Sequence, residues 1–125
     1  MSQEITVNLT FNVNNPSTGG GYSNSVRASQ QYTQNAQGAN GEVVSIPTTA
    51  TNIDLTNLTT YGWAYFQNLD TTNFVTVGLS VSAVYYSFLK LKPGEIALLR
   101  LEPGITVQAQ ADTAAVKLNY LVLQD

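Results

Sequence analysis

Residues 5–13 alternate between apolar and polar side chains more regularly than any other stretch of the chain. Ile5, Val7, Leu9, Phe11 and Val13 occupy the odd positions, and Thr or Asn occupies each position between them. A period of two is that of a β-strand with one face against a core. The pattern therefore predicts a half-buried strand over these residues.

The next stretch, 14–41, is polar and glycine-rich, and its composition predicts a loop or arm. It contains three consecutive glycines and many amide side chains. Few apolar side chains are available to offset the entropy cost of ordering it. We expect one weak edge strand at about 25–33. Tyr22, Arg27 and Tyr32 are candidate contacts of an assembly arm that a neighbouring subunit would order.

Short β-rich runs then follow one another at spacings of about ten residues. They cover 42–46, 52–56, 61–69, 73–80, 81–91, 95–102, 105–111 and 115–123. This spacing predicts an all-β, single-domain antiparallel β-sandwich over residues 1–125, jelly-roll-like and built from eight to ten short strands. The run 95–102 is apolar on both faces and is predicted to be an interior strand. The alternation assigns as inward-facing Val75, Val77, Leu79 and Val81, then Ile105, Val107, Ala109 and Ala111, then Val116, Leu118, Tyr120 and Val122.

The dipeptide Pro-Gly occurs twice, as Pro93-Gly94 and Pro103-Gly104. Proline suits the second position of a type I or type II turn, and glycine supplies the positive φ that type II requires at the third. Two-residue hairpins instead need a positive φ where proline would stand. Both dipeptides are therefore interpreted as structural turns at which the chain crosses from one sheet to the other.

Tyr61, Trp63 and Tyr65 share one face of the predicted strand 61–69. Exposed together, three rings would form a platform for a sugar or for a partner protein. Packed under the second sheet, they would be core, and this interpretation is favoured. All three alternatives remain open from the sequence.

Composition removes most kinds of catalysis and of metal binding. The chain has no histidine, and also no cysteine, so the commonest general base and the thiolate ligands are missing. The acidic residues are dispersed, and Asp70 and Asp112 lie in predicted turns, where aspartate usually accepts a bond from a backbone N–H two residues on. A Pro-Gly-Glu corner also occurs in cupins, but their metal is held by histidines together with a glutamate. The sequence predicts no catalytic residues, no metal site and no cofactor.

Charge and hydropathy narrow the range of partners. Five basic residues are outnumbered by eight acidic ones and form no basic stripe, so no nucleic acid partner is expected. No apolar run is long enough to span a membrane, and no signal peptide is recognised, so we expect synthesis in the cytoplasm and no membrane partner. Charged residues make up only 10% of the chain, while Ser, Thr, Asn and Gln fill 45 positions. A polar, nearly uncharged surface is desolvated easily and favours assembly.

Three motifs in residues 61–125 carry a resemblance to a known group of proteins. They are YGWAYFQNLDTTNFVTVGL, FLKLKPGEIALLRL and ADTAAVKLNYLVLQD. In order and spacing they resemble small β-sandwich virion structural proteins of tailed bacteriophages, whereas the first 60 residues resemble no group we can name.

The resemblance implies a non-enzymatic virion component, in the first place a head decoration or capsid-stabilising subunit. Such a subunit would form a homo-oligomer, trimers included, and would contact other virion proteins such as the major capsid protein. The alternative is a carbohydrate- or receptor-binding module of a tail fibre or spike that uses Tyr61, Trp63 and Tyr65. A small hydrolase ranks last because histidine and cysteine are missing.

Overall fold

The computed structural model describes residues 3–16 and 19–125, so Ser17 and Thr18 of the expected loop lie outside the described residues. The all-β prediction is confirmed, since the described part of the chain holds ten strands, paired antiparallel, and no helix. The chain divides into two compact units, Met1–Asn35 and Ala36–Asp125. The boundary falls inside the stretch 14–41 that composition had marked as one loop.

The first unit is a two-stranded antiparallel ribbon. Strand β1 (Ile5–Asn15) pairs along its whole length with β2 (Tyr22–Tyr32), from Ile5 opposite Tyr32 to Asn15 opposite Tyr22. The prediction of a strand at 5–13 is therefore confirmed. The loop or arm expected at 14–41 is corrected, because β2 covers 22–32 and β3 begins at Ala39. The edge strand predicted at about 25–33 is present, since β2 lies at the edge of a two-stranded sheet, but it is longer than predicted. Composition within 14–41 could not indicate this, because the apolar residues that support β2 lie on its partner β1.

The predicted half-burial of the first strand is also corrected. Ile5, Val7 and Val13 are partly exposed, and Leu9 and Phe11 are exposed. The period of two correctly indicates an amphipathic strand, but it does not indicate what covers the apolar face.

The second unit is a sandwich of two four-stranded sheets. Its strands are β3 (Ala39–Ile46), β4 (Thr51–Asn52), β5 (Tyr61–Asn68), β6 (Val75–Val81), β7 (Val84–Leu91), β8 (Ile96–Arg100), β9 (Thr106–Ala111) and β10 (Val116–Gln124). One sheet has the order β3-β10-β5-β8 and the other the order β4-β9-β6-β7. This strand order is that of an eight-stranded jelly roll, as the spacing of the runs predicted.

A single apolar core fills the space between these two sheets. Val75, Val107, Ala109 and the whole inward set of β10 are buried in it, as the alternation predicted. Three predicted inward residues are exceptions, since Leu79 and Ile105 are half-buried and Val81 is exposed. Val81 is the most exposed of the three. It stands beside the tight turn Ser82-Ala83, where both residues have positive φ, 51° and 64°. That is the geometry of a type I′ hairpin turn, which serine and alanine do not predict.

Both Pro-Gly turns carry the chain between the sheets, as predicted. Gly94 and Gly104 have φ of +81° and +87°, and the Glu95 N–H donates to the Lys92 carbonyl oxygen at 3.0 Å. The first turn connects β7 of one sheet to β8 of the other, and the second returns the chain from β8 to β9. The doubled dipeptide is therefore architectural.

Strand β8 is not the covered interior strand that its sequence predicted. It lies at the edge of its sheet and pairs only with β5 among the described strands. Ala97 and Leu99 pack against the core, while Ile96 and Leu98 face outward and are exposed. The apolar residues on its second face point away from the sandwich, so they form surface and not core.

Candidate functional site

The ribbon of the first unit has one apolar and one polar face, because residues directly opposite each other in an antiparallel pair project to the same side. On the apolar face Leu9 stands opposite Ala28, and Phe11 opposite Val26. On the polar face the Ser29 hydroxyl donates to Asn8 Oδ1 at 2.6 Å. The exposed fractions are 65% for Phe11, 46% for Leu9 and 49% for Val26.

Such a face is costly to leave in water. A two-stranded hairpin alone is marginally stable at best, and it becomes stable when its apolar side is covered. Contiguous exposed apolar surface of this kind marks an interaction site in a soluble protein. We refer to Leu9, Phe11, Val26 and Ala28 as the ribbon face.

The three candidate arm residues all lie on β2, but the structure does not bring them together. Tyr22 and Tyr32 project to the same side as the ribbon face, at opposite ends of the strand, and both are exposed. Arg27 stands opposite Thr10 and therefore projects to the polar side. Only the tyrosines are placed to extend an apolar contact.

A second exposed apolar surface lies on the outer side of the sheet β3-β10-β5-β8. Leu121 of β10 stands opposite Tyr65 of β5, which stands opposite Leu98 of β8. In the next row of the sheet, Val43 and Ile96 stand at the two edges. Ile96 is 63% exposed and Leu98 46%. We refer to Val43, Tyr65, Ile96, Leu98 and Leu121 as the sheet patch.

Sequence reasoning missed four members of this patch, all except Tyr65. The signal was present in 95–102, whose two apolar faces can mean either an interior strand or an edge strand with one face on an interface. The prediction of an interior strand corresponds to the first of these meanings. Without the sheet order, the sequence offered no way to choose the second.

Trp63 and Tyr65 lie on the opposite side of β5 from the core, whereas Tyr61, at the start of the strand, packs against the core. Ala64 and Phe66 are the core residues of this strand, whereas the three rings are half-buried. The core interpretation holds only for Tyr61, which packs against the core and donates its hydroxyl to the Ile105 carbonyl oxygen. The rings are therefore not one evenly exposed platform, and Tyr65 belongs with the sheet patch.

Residues from two of the sequence motifs meet at one corner of the sandwich. Asn68 is completely buried, and its amide donates to the carbonyl oxygens of Asn73 and Leu91, both at 2.9 Å. Its Oδ1 accepts the Asp70 N–H at 2.8 Å. Its backbone exchanges bonds with the first Pro-Gly turn, donating to Glu95 and accepting from Gly94, both at 3.0 Å.

Two carboxylates of these motifs bond to the backbone of their own turns. Asp70 Oδ2 accepts the N–H groups of Asn73 and Thr72, at 2.6 and 3.0 Å, and these bonds lower the pKa of Asp70. This confirms the turn interpretation of Asp70. Glu95 Oε1 accepts the Lys92 N–H at 2.8 Å. Carboxylates that accept bonds from backbone N–H groups stabilise the turns at this corner.

The remaining polar clusters are small. Tyr120 donates its hydroxyl to Glu42 and to the Asp54 carbonyl oxygen, both at 3.0 Å, and burial raises the pKa of Tyr120. Tyr85 and Thr76 share a hydroxyl hydrogen bond of 2.8 Å in a shallow surface pocket. Among residues 3–16 and 19–125, no three acidic side chains are grouped so that they could hold a metal ion.

Two further observations complete the description of these surfaces. In the part of the chain that the structure describes, no helix has the length and apolar character needed to cross a membrane. Comparison of the chain with protein-family models, with curated proteins and with solved structures gives no match.

Proposed function

We propose that this protein is a non-enzymatic structural subunit that works by assembling with copies of itself. In its specific form, the proposal is a virion protein of a tailed bacteriophage, a head decoration or capsid-stabilising subunit. Assembly of this kind needs no turnover, and its free energy comes from apolar surface removed from water.

The ribbon face is the observation that carries the proposal. Its exposed apolar side chains lie on a two-stranded ribbon, which is the element of this chain least able to be stable by itself. An uncovered face of this kind is expected in a subunit whose partner supplies the cover.

The virion assignment has weaker support, of two kinds. The motifs in 61–125 resemble phage virion proteins, and jelly rolls are common in viral capsid domains. The second argument is an analogy at the level of the fold, and one fold serves many functions. Lectins and cupins use the same fold, so the fold does not distinguish a virion protein from these classes. Assembly is therefore tested before the virion assignment.

Light scattering coupled to size exclusion tests self-assembly directly. The chain has a mass of 13.5 kDa, and we expect the particle mass to be a multiple of it at micromolar concentration. Phe11→Asn should reduce this mass to that of one chain, because it removes the one aromatic ring of the ribbon face, which is 65% exposed. Thr10→Asn is the matched control, since it changes the neighbouring residue on the polar side and should leave the mass unchanged.

A single-chain mass for the unmodified protein across this range would contradict the proposal. For the virion assignment, quantitative mass spectrometry of purified phage particles should find the chain in many copies per particle. Its absence from purified particles would contradict the virion assignment while leaving self-assembly intact.

The alternative, a receptor-binding module of a tail fibre or spike, is favoured by Trp63 and Tyr65, which stay half-exposed on the outer side of β5. Half-exposed rings can stack on sugar faces. Binding to a glycan array that disappears in Trp63→Ala, with the fold unchanged by circular dichroism, would support this alternative. An array without any bound glycan would count against it.

A further inference from the structure

We propose that the ribbons of three copies close into one ring of six strands, with the ribbon face of each copy turned inward. In this ring β2 of each copy pairs with β1 of the next, so that every strand has a partner on both sides. This inference rests on the proposed function, because it assumes self-assembly. It adds the number of copies and the way in which their ribbons meet.

The outer edges of the ribbon are the first observation behind this proposal. Among the described strands, β1 and β2 pair only with each other, so each has an outer edge along its 11 residues. Proteins usually protect such edges with a proline, a lysine or a bulge. Neither strand contains a proline or a lysine, and the pairing runs from end to end without a register shift. Both edges are therefore suited to pairing with another chain.

A closed ring pairs both edges and covers the ribbon face at the same time. Two ribbons stacked face to face would cover their apolar sides but leave four edges unpaired. Two ribbons joined edge to edge would pair one edge of each but leave the apolar sides in water. In a cyclic ring all ribbons have the same orientation, so β2 of one copy meets β1 of the next antiparallel, and closure leaves no edge.

The width of the ring selects three copies. Strands spaced about 4.8 Å apart and tilted by about 40° close on a diameter of roughly 8 Å for four strands, 12 Å for six and 16 Å for eight. Packed β-layers are about 10 Å apart, so four strands leave too little room for side chains and six strands match. Eight strands enclose an interior that side chains from every strand just fill. Every second strand here would carry only Ala28 and Val26 at its centre, which favours six.

The side chains at the centre of the ribbon are distributed as this ring requires. Leu9 and Phe11 on β1 are large and stand opposite the small Ala28 and Val26 on β2. Around the ring, large and small side chains therefore alternate, which is how narrow closed sheets fill their interior. Arg27 is the only charged residue of the two strands, and it projects to the outer side.

The polar residues on the inner side lie towards the ends of the ribbon. Gln30 and Asn24 flank the two small residues of β2 on this side. Both side chains are neutral amides, and a three-fold axis places three copies of each around the interior, where amides donate to and accept from one another. Tyr22 and Tyr32 lie at the two ends, where their hydroxyls can reach water. Closure of the ring therefore buries no charge.

Light scattering coupled to size exclusion tests the number of copies, and we expect the mass of three chains. Ala28→Lys places a charge on the inner side of the ring and should reduce the mass to that of one chain. Ser29→Lys is the matched control, because it adds the same side chain to the next residue, which is exposed on the outer side. This variant should keep the mass of three chains.

Amide hydrogen exchange of the unmodified full chain tests how the ribbons meet. In an antiparallel pair, the N–H groups of about every second residue point to the partner strand and the others point away from it. In the ring we expect protection of nearly all amides in 6–14 and 23–31. A ribbon whose outer edges stay in water should show protection of only about half of them.

The possible results separate the two proposals. An oligomer of two or four chains, or one in which every second amide of these segments exchanges fast, would overturn the ring and leave self-assembly standing. A trimer that Ala28→Lys leaves intact would overturn the ring in the same way, because the ribbon face would then not be enclosed. An unmodified protein that scatters light as a single chain would overturn both proposals.

Discussion

Asn68 is predicted to be the polar side chain on which the sandwich depends most. It is completely buried and makes three side-chain hydrogen bonds, two as donor at 2.9 Å and one as acceptor at 2.8 Å. Asn68→Ala removes all three and leaves two carbonyl oxygens and the Asp70 N–H without this partner. At about 1 kcal/mol for each bond, the expected loss of unfolding free energy is roughly 3 kcal/mol.

Urea unfolding followed by the fluorescence of Trp63 measures this loss. Trp63 is the only tryptophan in the chain and lies in the second unit, so its signal reports on the sandwich. For a unit of this size, a loss of 3 kcal/mol corresponds to a fall in melting temperature of roughly 12–24 °C. Asn52→Ala is the matched control, because Asn52 is exposed and accepts one bond, from Gln108 at 2.8 Å. It should change stability by less than about 0.5 kcal/mol.

A second substitution separates hydrogen bonding from packing. Asn68→Asp keeps the volume but replaces the donor amide with an oxygen that faces the carbonyls of Asn73 and Leu91. The buried carboxylate should have a raised pKa, so the deficit relative to the unmodified protein should shrink as the pH falls from about 7 to about 4. An Asn68→Ala loss below about 1 kcal/mol, or an Asp variant as stable as the unmodified protein at neutral pH, would refute the reasoning.

Three further predictions concern the turns. Gly94→Val and Gly104→Val should each lower the free energy of unfolding by roughly 1–3 kcal/mol, because valine is forced into positive φ; unchanged melting temperatures would contradict the type II assignment. Ser82→Asn combined with Ala83→Gly should raise it by about 1 kcal/mol, since these residues suit a type I′ turn, and a urea midpoint that does not rise would exclude this geometry. Asp70 has a lowered pKa in the folded state, so its contribution is complete above the unfolded pKa and is lost as the pH falls through the folded one. Asp70→Asn should therefore flatten the acid side of the stability profile, and a profile that stays as steep would show that other groups control it.

The sandwich could be predicted from the sequence because the patterns that specify its strands and turns each lie within a few consecutive residues. Alternation over a few residues identified strands such as 105–111 and 115–123, and Pro-Gly chemistry identified the two crossings between sheets. What could not be predicted depends on which strands are neighbours. Ile96 and Leu98 are exposed because β8 is an edge strand, and no pattern within 95–102 distinguishes an edge from an interior position.

The ribbon is a second case in which the structure of a segment depends on a neighbouring strand. β2 contains too few apolar residues for a strand to be predicted from its own sequence. It forms a strand because β1 supplies Leu9 and Phe11 on the face that the two strands share. The composition of one segment therefore cannot indicate stabilisation that comes from the side chains of another segment. The position of the candidate aromatic row could not be predicted for a similar reason, because Ala64 and Phe66, and not Trp63 or Tyr65, are the buried residues of β5.

The sequence motifs and the ribbon face lie in different parts of the chain. Asn68, Asp70 and Glu95 are bonded to backbone groups at one corner, so these side chains stabilise that corner of the sandwich. The ribbon face lies outside these motifs, in the part of the chain that resembles nothing we can name. The sheet patch is split, since Val43 lies outside the motif segments, whereas Tyr65, Ile96, Leu98 and Leu121 lie within them. A protein could therefore keep the motifs and the jelly roll while changing the surfaces that we propose for assembly. Substitutions in the corner should then change stability without changing the particle mass, and Phe11→Asn should change the particle mass without changing the stability of the sandwich.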